Sequence, residues 1–143
     1  MTNKSVDRKR FVYIYLTLDD KDGEKACSTQ LAKIVDTDKY MCCVKCVRGK
    51  IIHSKYKQSD RLFLCSDICQ ESYVNSTKLP VLCELFRKEN GFIENTFTHV
   101  QWLDLLRPNL GTIKLYITDD QGNNVPLEGE QLMCTLVLSY HPI

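Results

Sequence analysis

The alternation of apolar and polar side chains in two stretches near the C-terminus constrains the fold more than any other feature of the sequence. In residues 111–119 apolar side chains recur at every second position, and they do so again in residues 132–138. The alternating apolar positions are Ile113, Leu115 and Ile117, and then Leu132, Cys134, Leu136 and Leu138. A period of two is typical of a strand with one buried face. Residues 119–124 form a polar turn between them, so we predict that the two strands pair as a long hairpin.

Short apolar or alternating stretches, separated by turn residues, continue along the rest of the chain. They predict further strands at residues 11–18, 26–36, 40–47, 51–56, 61–68, 79–86 and 92–102. Residues 26–35 also fit a short helix, but a strand ending at Asp36 agrees better with the neighbouring segments. Turns are predicted at residues 48–50 and 89–91. The pattern, which contains no convincing amphipathic helix, predicts an all-β fold: an antiparallel β-sandwich or jelly roll of about eight strands.

The first predicted strand, residues 11–18, carries apolar or aromatic side chains on both of its faces. A strand of this kind is either covered on both sides or lies at a contact between subunits. Tyr13 and Tyr15 are amphipathic aromatic residues of the sort enriched at protein interfaces, and packing at the edge of a core accounts for them as well. We retain both as candidate interaction residues.

Length and charge limit the domain organisation and the partners. At 143 residues the chain is predicted to form one β-sandwich domain, residues 11–143, preceded by a short basic arm, residues 1–10. A net charge of +1 argues against a protein that coats nucleic acid, so no specific nucleic-acid partner is predicted. A solvated terminus is the simpler interpretation of the arm, and an interaction element is the alternative. The basic residues of the arm are Lys4, Arg8, Lys9 and Arg10.

The cysteines and the lengths of the apolar segments indicate the cellular compartment in which the chain is made. No apolar run approaches the roughly 18–20 residues of a membrane helix, and the N-terminus lacks the apolar core of a signal peptide. We therefore expect the chain to be made in the cytoplasm or nucleus, where its eight cysteines would be reduced thiols. Such thiols either pack in the core or hold a metal.

One set of cysteines has a spacing that suggests zinc. Cys43 and Cys46 are separated by two residues, Cys65 and Cys69 by three, and four thiolates at about this spacing could close a tetrahedral site. However, Cys43 and Cys46 have opposite parity in a regular strand and would point to opposite faces. The prediction is therefore buried thiols without a cofactor, and a structural zinc site is the alternative.

The sequence supports a catalytic site even less than it supports a zinc site. The three histidines, His53, His99 and His141, are far apart in the sequence. The chain has no nucleophile elbow, no Cys/His family signature and no glycine loop for phosphate. Acid pairs such as Asp19–Asp20 lie in turns, where aspartate commonly bonds its own backbone. We predict that the protein is not an enzyme.

The order of the segments resembles the penton-type minor capsid proteins of Polinton (Maverick) elements and adintovirus-like DNA viruses. The resemblance begins with an aromatic strand that ends in Thr17-Leu-Asp-Asp20. It continues through Leu62-Phe-Leu-Cys-Ser-Asp67, extending to Val74, and is closest in the C-terminal third. The remaining matching segments are residues 79–82, 97–99, 113–122, 125–127 and 134–138. Residues 42–58 are richer in cysteine and basic residues than the family pattern, and residues 139–143 replace its usual basic ending.

The resemblance implies a single jelly roll that forms homopentamers. Five copies would plug each five-fold vertex of an icosahedral shell built from a double-jelly-roll major capsid protein, so the expected location is the virion. The basic arm would then reach inward or toward neighbouring capsid subunits. Two other functions remain open at this point: a small zinc-binding interaction module, and a host-domesticated copy that serves as an intracellular β-sandwich adapter.

Overall fold

The computed structural model describes residues 11–19, 26–36, 40–51, 55–56, 60–105, 109–127 and 129–140. The strands within these ranges are β1 (Phe11–Leu18), β2 (Ala26–Asp36), β3 (Tyr40–Lys50), β4 (Leu62–Ser66), β5 (Ser72–Val74), β6 (Thr77–Leu79), β7 (Val81–Leu85), β8 (Phe92–Thr96), β9 (Leu103–Asp104), β10 (Asn109–Asp119) and β11 (Leu132–Tyr140). The described part of the chain contains no helix, and therefore none long and apolar enough to cross a membrane.

Eight of these strands form two layers of four. Sheet A has the order β1-β11-β3-β8, with β9 also paired to β3, and sheet B has the order β2-β10-β4-β7. All pairings are antiparallel. The chain alternates between the sheets at most of its connections, which is the topology of a jelly roll. The predicted all-β single jelly roll with eight main strands is confirmed, and the strand chosen for residues 26–36 is β2.

The predicted hairpin between the two C-terminal strands is wrong. Strand β10 pairs with β2 and β4 in sheet B, whereas β11 pairs with β1 and β3 in sheet A. Residues 119–124 form a turn, as predicted, but the chain crosses from one layer to the other after it. Alternation shows which side of a strand is buried but does not specify its hydrogen-bonding partner. In the structure, both strands bury their apolar side chains in the same core, from opposite sheets.

That core lies between the two sheets. Large aliphatic side chains from both layers are fully buried in it, and each contributes on the order of 2 kcal/mol to the free energy of folding. Among them are Leu62, Leu64, Ile113, Ile117, Leu132 and Leu136. The apolar residues of β10 and β11 that point into the core are those predicted from the alternation.

A second, smaller cluster covers the outward face of sheet B. Phe63 and Cys65 alternate with the core residues of β4 and therefore point away from the core. The β5–β6 hairpin folds over them and contributes Val74 and Leu79, so that all four side chains are buried. We call this the covered face.

Strand β3 continues through the turn predicted at residues 48–50. Gly49 makes this possible, because a side chain there would collide with the Gln131 carbonyl oxygen and come within 2.8 Å of the Leu132 Cα. The predicted turn is wrong: Gly49 is required because β3 and β11 approach closely there, and not because the chain turns. The strand predicted at residues 51–56 is also not found: Lys55 and Tyr56 lie in a turn and a bend, and residues 52–54 lie outside the described residues.

Candidate interaction surface

Strand β1 lies at the edge of sheet A and pairs with β11 through all eight of its residues without a shift of register. Its even-numbered residues turn toward the core, and its odd-numbered residues turn outward. Tyr13 and Tyr15 are 55% and 77% exposed. The expectation that β1 is covered on both sides is therefore wrong within the chain, and its alternative, a contact between subunits, stays a prediction.

The outward face of sheet A continues from β1 onto β11 and β3. Cross-strand neighbours form rows across it, one containing Tyr13, Val137 and Cys43 and the next containing Tyr15, Thr135 and Cys46. The large exposed apolar side chains that β1 and β11 carry at this face are Phe11, Tyr13, Tyr15 and Met133. We call this surface the open face, because no hairpin of the described chain folds over it as β5–β6 folds over the covered face.

A β-bulge in β3 changes the positions of two of the proposed zinc ligands. Cys46 lies opposite Thr135 and Val44 lies opposite Leu136, so Lys45 is an extra residue in the ladder. The bulge reverses the parity between Cys43 and Cys46, and both point to the open face. The prediction that they point to opposite faces is wrong for this reason. The Cys46 Sγ lies 3.5 Å from the Thr135 Oγ1.

The other two cysteines of the set lie elsewhere. Cys65 is buried under the β5–β6 hairpin, with its Sγ 3.6 Å from the Thr118 Oγ1. Cys69 is buried in the core, with its Sγ 3.4 Å from the Pro80 carbonyl oxygen. The four sulfurs do not converge, and within the described residues no group of three or more His, Cys, Asp or Glu side chains is placed to hold a metal ion.

Burial keeps the interior thiols in their neutral form. It raises the pKa of Cys65 to about 11 and the pKa of Cys42, Cys69 and Cys134 to about 12. It also raises the pKa of the Cys43 thiol. Nucleophilic and metal-binding cysteines have the opposite property, a lowered pKa that produces the thiolate. These thiols therefore act as small packing residues.

A groove that the sequence did not predict runs along the edge of β7 that pairs with no other strand of the described chain. Two adjoining cavities of about 350 and 240 Å³ share Leu82 and Glu84 of this strand. Tyr73 beside the larger cavity and Phe86 beside the smaller one are 72% and 59% exposed. The lining residues come from positions 44 to 103 of the chain, so no local sequence pattern could have indicated the groove.

The charges of the groove compensate each other. Arg61 donates two hydrogen bonds to the Glu84 carboxylate, of 3.0 and 3.2 Å, and this partner raises the pKa of the guanidinium. His99 lines the smaller cavity, whereas His53 and His141 lie outside the described residues. The basic arm, with Lys4, Arg8, Lys9 and Arg10, also lies outside them.

Comparison with known proteins gives a match among solved structures. No family model matches the chain, and no curated protein matches its sequence. Among solved structures, the mavirus penton protein superposes with a TM-score of 0.57 at 7% sequence identity. The two proteins share one fold. The superposition covers 92% of this chain and 100% of the mavirus protein, so the likeness includes the jelly roll as a whole.

Proposed function

We propose that this chain is a structural capsid protein that forms homopentamers at the five-fold vertices of an icosahedral shell. The observation that carries the proposal is the fold it shares, over the full length of that protein, with the mavirus penton protein. Because one fold hosts many functions, the proposal also draws on the exposed surfaces of this chain. Its partners would be further copies of itself and a double-jelly-roll major capsid protein, and its location would be the virion.

The distribution of exposed apolar side chains agrees with a role in assembly. Large exposed apolar residues grouped on one surface of a domain mark interaction sites. Here Phe11, Tyr13, Tyr15 and Met133 are exposed at the open face, and Tyr73 and Phe86 are exposed beside the groove. A closed ring needs two different complementary surfaces on every subunit. In the proposed ring, the open face and the groove would supply these two surfaces.

The role we propose requires no reaction and no cofactor. The thiols for which burial raises the pKa are held neutral rather than activated. A structural zinc site built on Cys43, Cys46, Cys65 and Cys69 would need sulfurs that this fold divides between the open face, the covered face and the core.

The test is cryo-electron microscopy of shells produced by co-expressing the chain with the double-jelly-roll major capsid protein of the same genome. Shells expressed without the chain are the control. The proposal predicts density for five jelly rolls at each five-fold vertex, present only when the chain is expressed. Vertices that are identical in the two preparations would contradict it.

A further inference from the structure

Within the described residues, strand β1 carries none of the sequence features that usually protect a sheet edge. Natural proteins place charged residues, proline or bulges at edge strands, because an exposed edge pairs with other chains. The other strands at the sheet edges each include a charged residue: Asp36 in β2, Glu84 in β7, Glu94 in β8 and Asp104 in β9. Strand β1 includes no charged residue, proline or glycine, and its ladder with β11 has no bulge. Its edge is therefore suited to pairing with another strand.

The groove beside β7 suits an uncharged strand. It follows a sheet edge, so main-chain groups can pair there, and cavities flank this edge to receive side chains. Apolar side chains such as Phe63, Val81 and Leu82 contribute to the lining. The two oppositely charged side chains of the larger cavity, Arg61 and Glu84, neutralise each other. An occupant without charge leaves neither of them unpaired.

The two edges lie on opposite sides of the sandwich. Sheet A runs from β1 to β8 and sheet B from β2 to β7. Strands β1 and β2 contact each other at one side, and Arg87, just after β7, bridges to Ile93 of β8 at the other. A contact between β1 of one copy and β7 of another is consequently head-to-tail. Contacts of this kind close into a ring when the rotation between subunits allows it.

We propose that β1 of each copy docks as an added strand against the free edge of β7 in the next copy, with Tyr13 and Tyr15 seated in the groove. The inference rests on the proposed ring, and it names the surfaces that form it. Tyr13 and Tyr15 point the same way and are about 7 Å apart along the strand. They would pack beside Tyr73 and Phe86, whose exposed rings flank the groove.

Two double variants test the pairing. Tyr13→Lys with Tyr15→Lys blocks β1, and Tyr73→Lys with Phe86→Lys blocks the groove; all four positions are exposed, so the fold should be retained. Sedimentation velocity should show pentamers for the wild type and monomers for each variant. A 1:1 mixture of the variants should form a dimer that grows no further. The intact β1 of one variant occupies the intact groove of the other, and the two remaining surfaces are blocked.

Met133→Lys is the matched control. Met133 is 51% exposed and lies on the open face, one strand in from the edge. The control should remain pentameric. If it dissociates as completely as the β1 variant, the open face as a whole forms the contact and the proposed pairing of edges is wrong. Variants that remain pentameric would also overturn the pairing, without affecting the proposed role at the vertices.

A photocrosslink provides a second measurement that does not depend on the strength of one isolated contact. A benzophenone analogue of phenylalanine in place of Tyr15 should crosslink between copies to residues at the groove, such as Tyr73 and Gln101. Crosslinks to the open face of another copy, or an absence of intermolecular crosslinks, would overturn the inference. The proposed function fails separately, if the wild-type chain is absent from the vertices.

Discussion

The two outward faces of the sandwich differ in what covers them. On sheet B, Phe63 and Cys65 are buried beneath the β5–β6 hairpin of the same chain. On sheet A, Tyr13 and Tyr15 occupy comparable outward positions and are mostly exposed. Both faces carry aromatic side chains, so the difference lies in the covering segment rather than in the strands. Within the described residues, the chain covers Phe63 and Cys65 with its own hairpin and leaves Tyr13 and Tyr15 exposed.

This difference predicts that the two faces affect different free energies, that of folding and that of assembly. Side chains on the covered face should contribute to the stability of the single chain, whereas Tyr13 and Tyr15 at the edge of the open face should contribute to contacts between copies. Burial, rather than residue type, decides which free energy a side chain affects. The predictions below compare the two faces and the core that lies between them.

The largest effect is expected from high pH. Burial raises the pKa of Cys42, Cys69 and Cys134 from an ordinary value of 9.0 to about 12, and that of Cys65 to about 11. The neutral thiols stabilise the fold fully below pH 9, and this stability is lost between pH 9 and 12 as ionisation favours the unfolded chain. Circular dichroism should show cooperative unfolding in that window. Between pH 9 and 11 the loss of stability should be smaller for Cys65→Ala than for the wild type, and an equal loss would contradict burial of this thiol.

Truncating an aromatic ring on each face compares the faces directly. Phe63→Ala on the covered face should lower the free energy of unfolding by about 3 kcal/mol, because it removes a ring that is 3% exposed and leaves a cavity. Tyr15→Ala on the open face should change it by no more than about 0.5 kcal/mol. Urea unfolding of the dissociated chain measures both. Equal losses would show that the open face is covered in the single chain.

Gly49→Ala probes the close approach of β3 and β11 within sheet A. The added methyl group would meet backbone atoms of Gln131 and Leu132, which cannot move away independently, so we expect a loss of about 2 kcal/mol. Gly129→Ala is the comparison, because no atom lies within 4 Å of its added Cβ and only its positive φ of 85° opposes the substitution. Thermal unfolding should give the smaller loss, of about 1 kcal/mol, at Gly129.

The smallest effect is expected at an exposed ion pair. Lys88 and Glu94 lie 3.2 Å apart, and both side chains are more than 60% exposed. Solvent screens such a pair, so Lys88→Ala should cost about 0.5 kcal/mol or less, and adding salt should reduce that difference. A loss comparable to that of Phe63→Ala, measured in the same urea titration, would mean that this surface is buried in the single chain.

Some of this structure follows from local sequence and some does not. The alternation at Ile113, Leu115 and Ile117 predicts a strand and its buried side, because both depend on the side chains of the strand itself. The partner of β10 depends on where the turn directs the chain in three dimensions. Alternation contains no information on that, and the predicted hairpin was wrong.

The same distinction applies to the candidate sites. Tyr13 and Tyr15 were identified from their own strand, and the structure places both outward. The bulge at Lys45, which brings Cys43 and Cys46 to one face, is a property of the pairing with β11 and has no signature in β3 alone. The groove beside β7 is assembled from segments distant in sequence. The sequence predicts features that depend on a single strand, and it does not predict features that depend on how several strands pack together.

Native mass spectrometry of the wild-type chain tests the central claim most directly. The claim is that Tyr13 and Tyr15, at the exposed edge of the open face, contact further copies of the chain. It predicts a dominant species of five times 16.6 kDa, which dissociates when Tyr13 and Tyr15 are both changed to lysine. A species of 16.6 kDa at every concentration measured would contradict it.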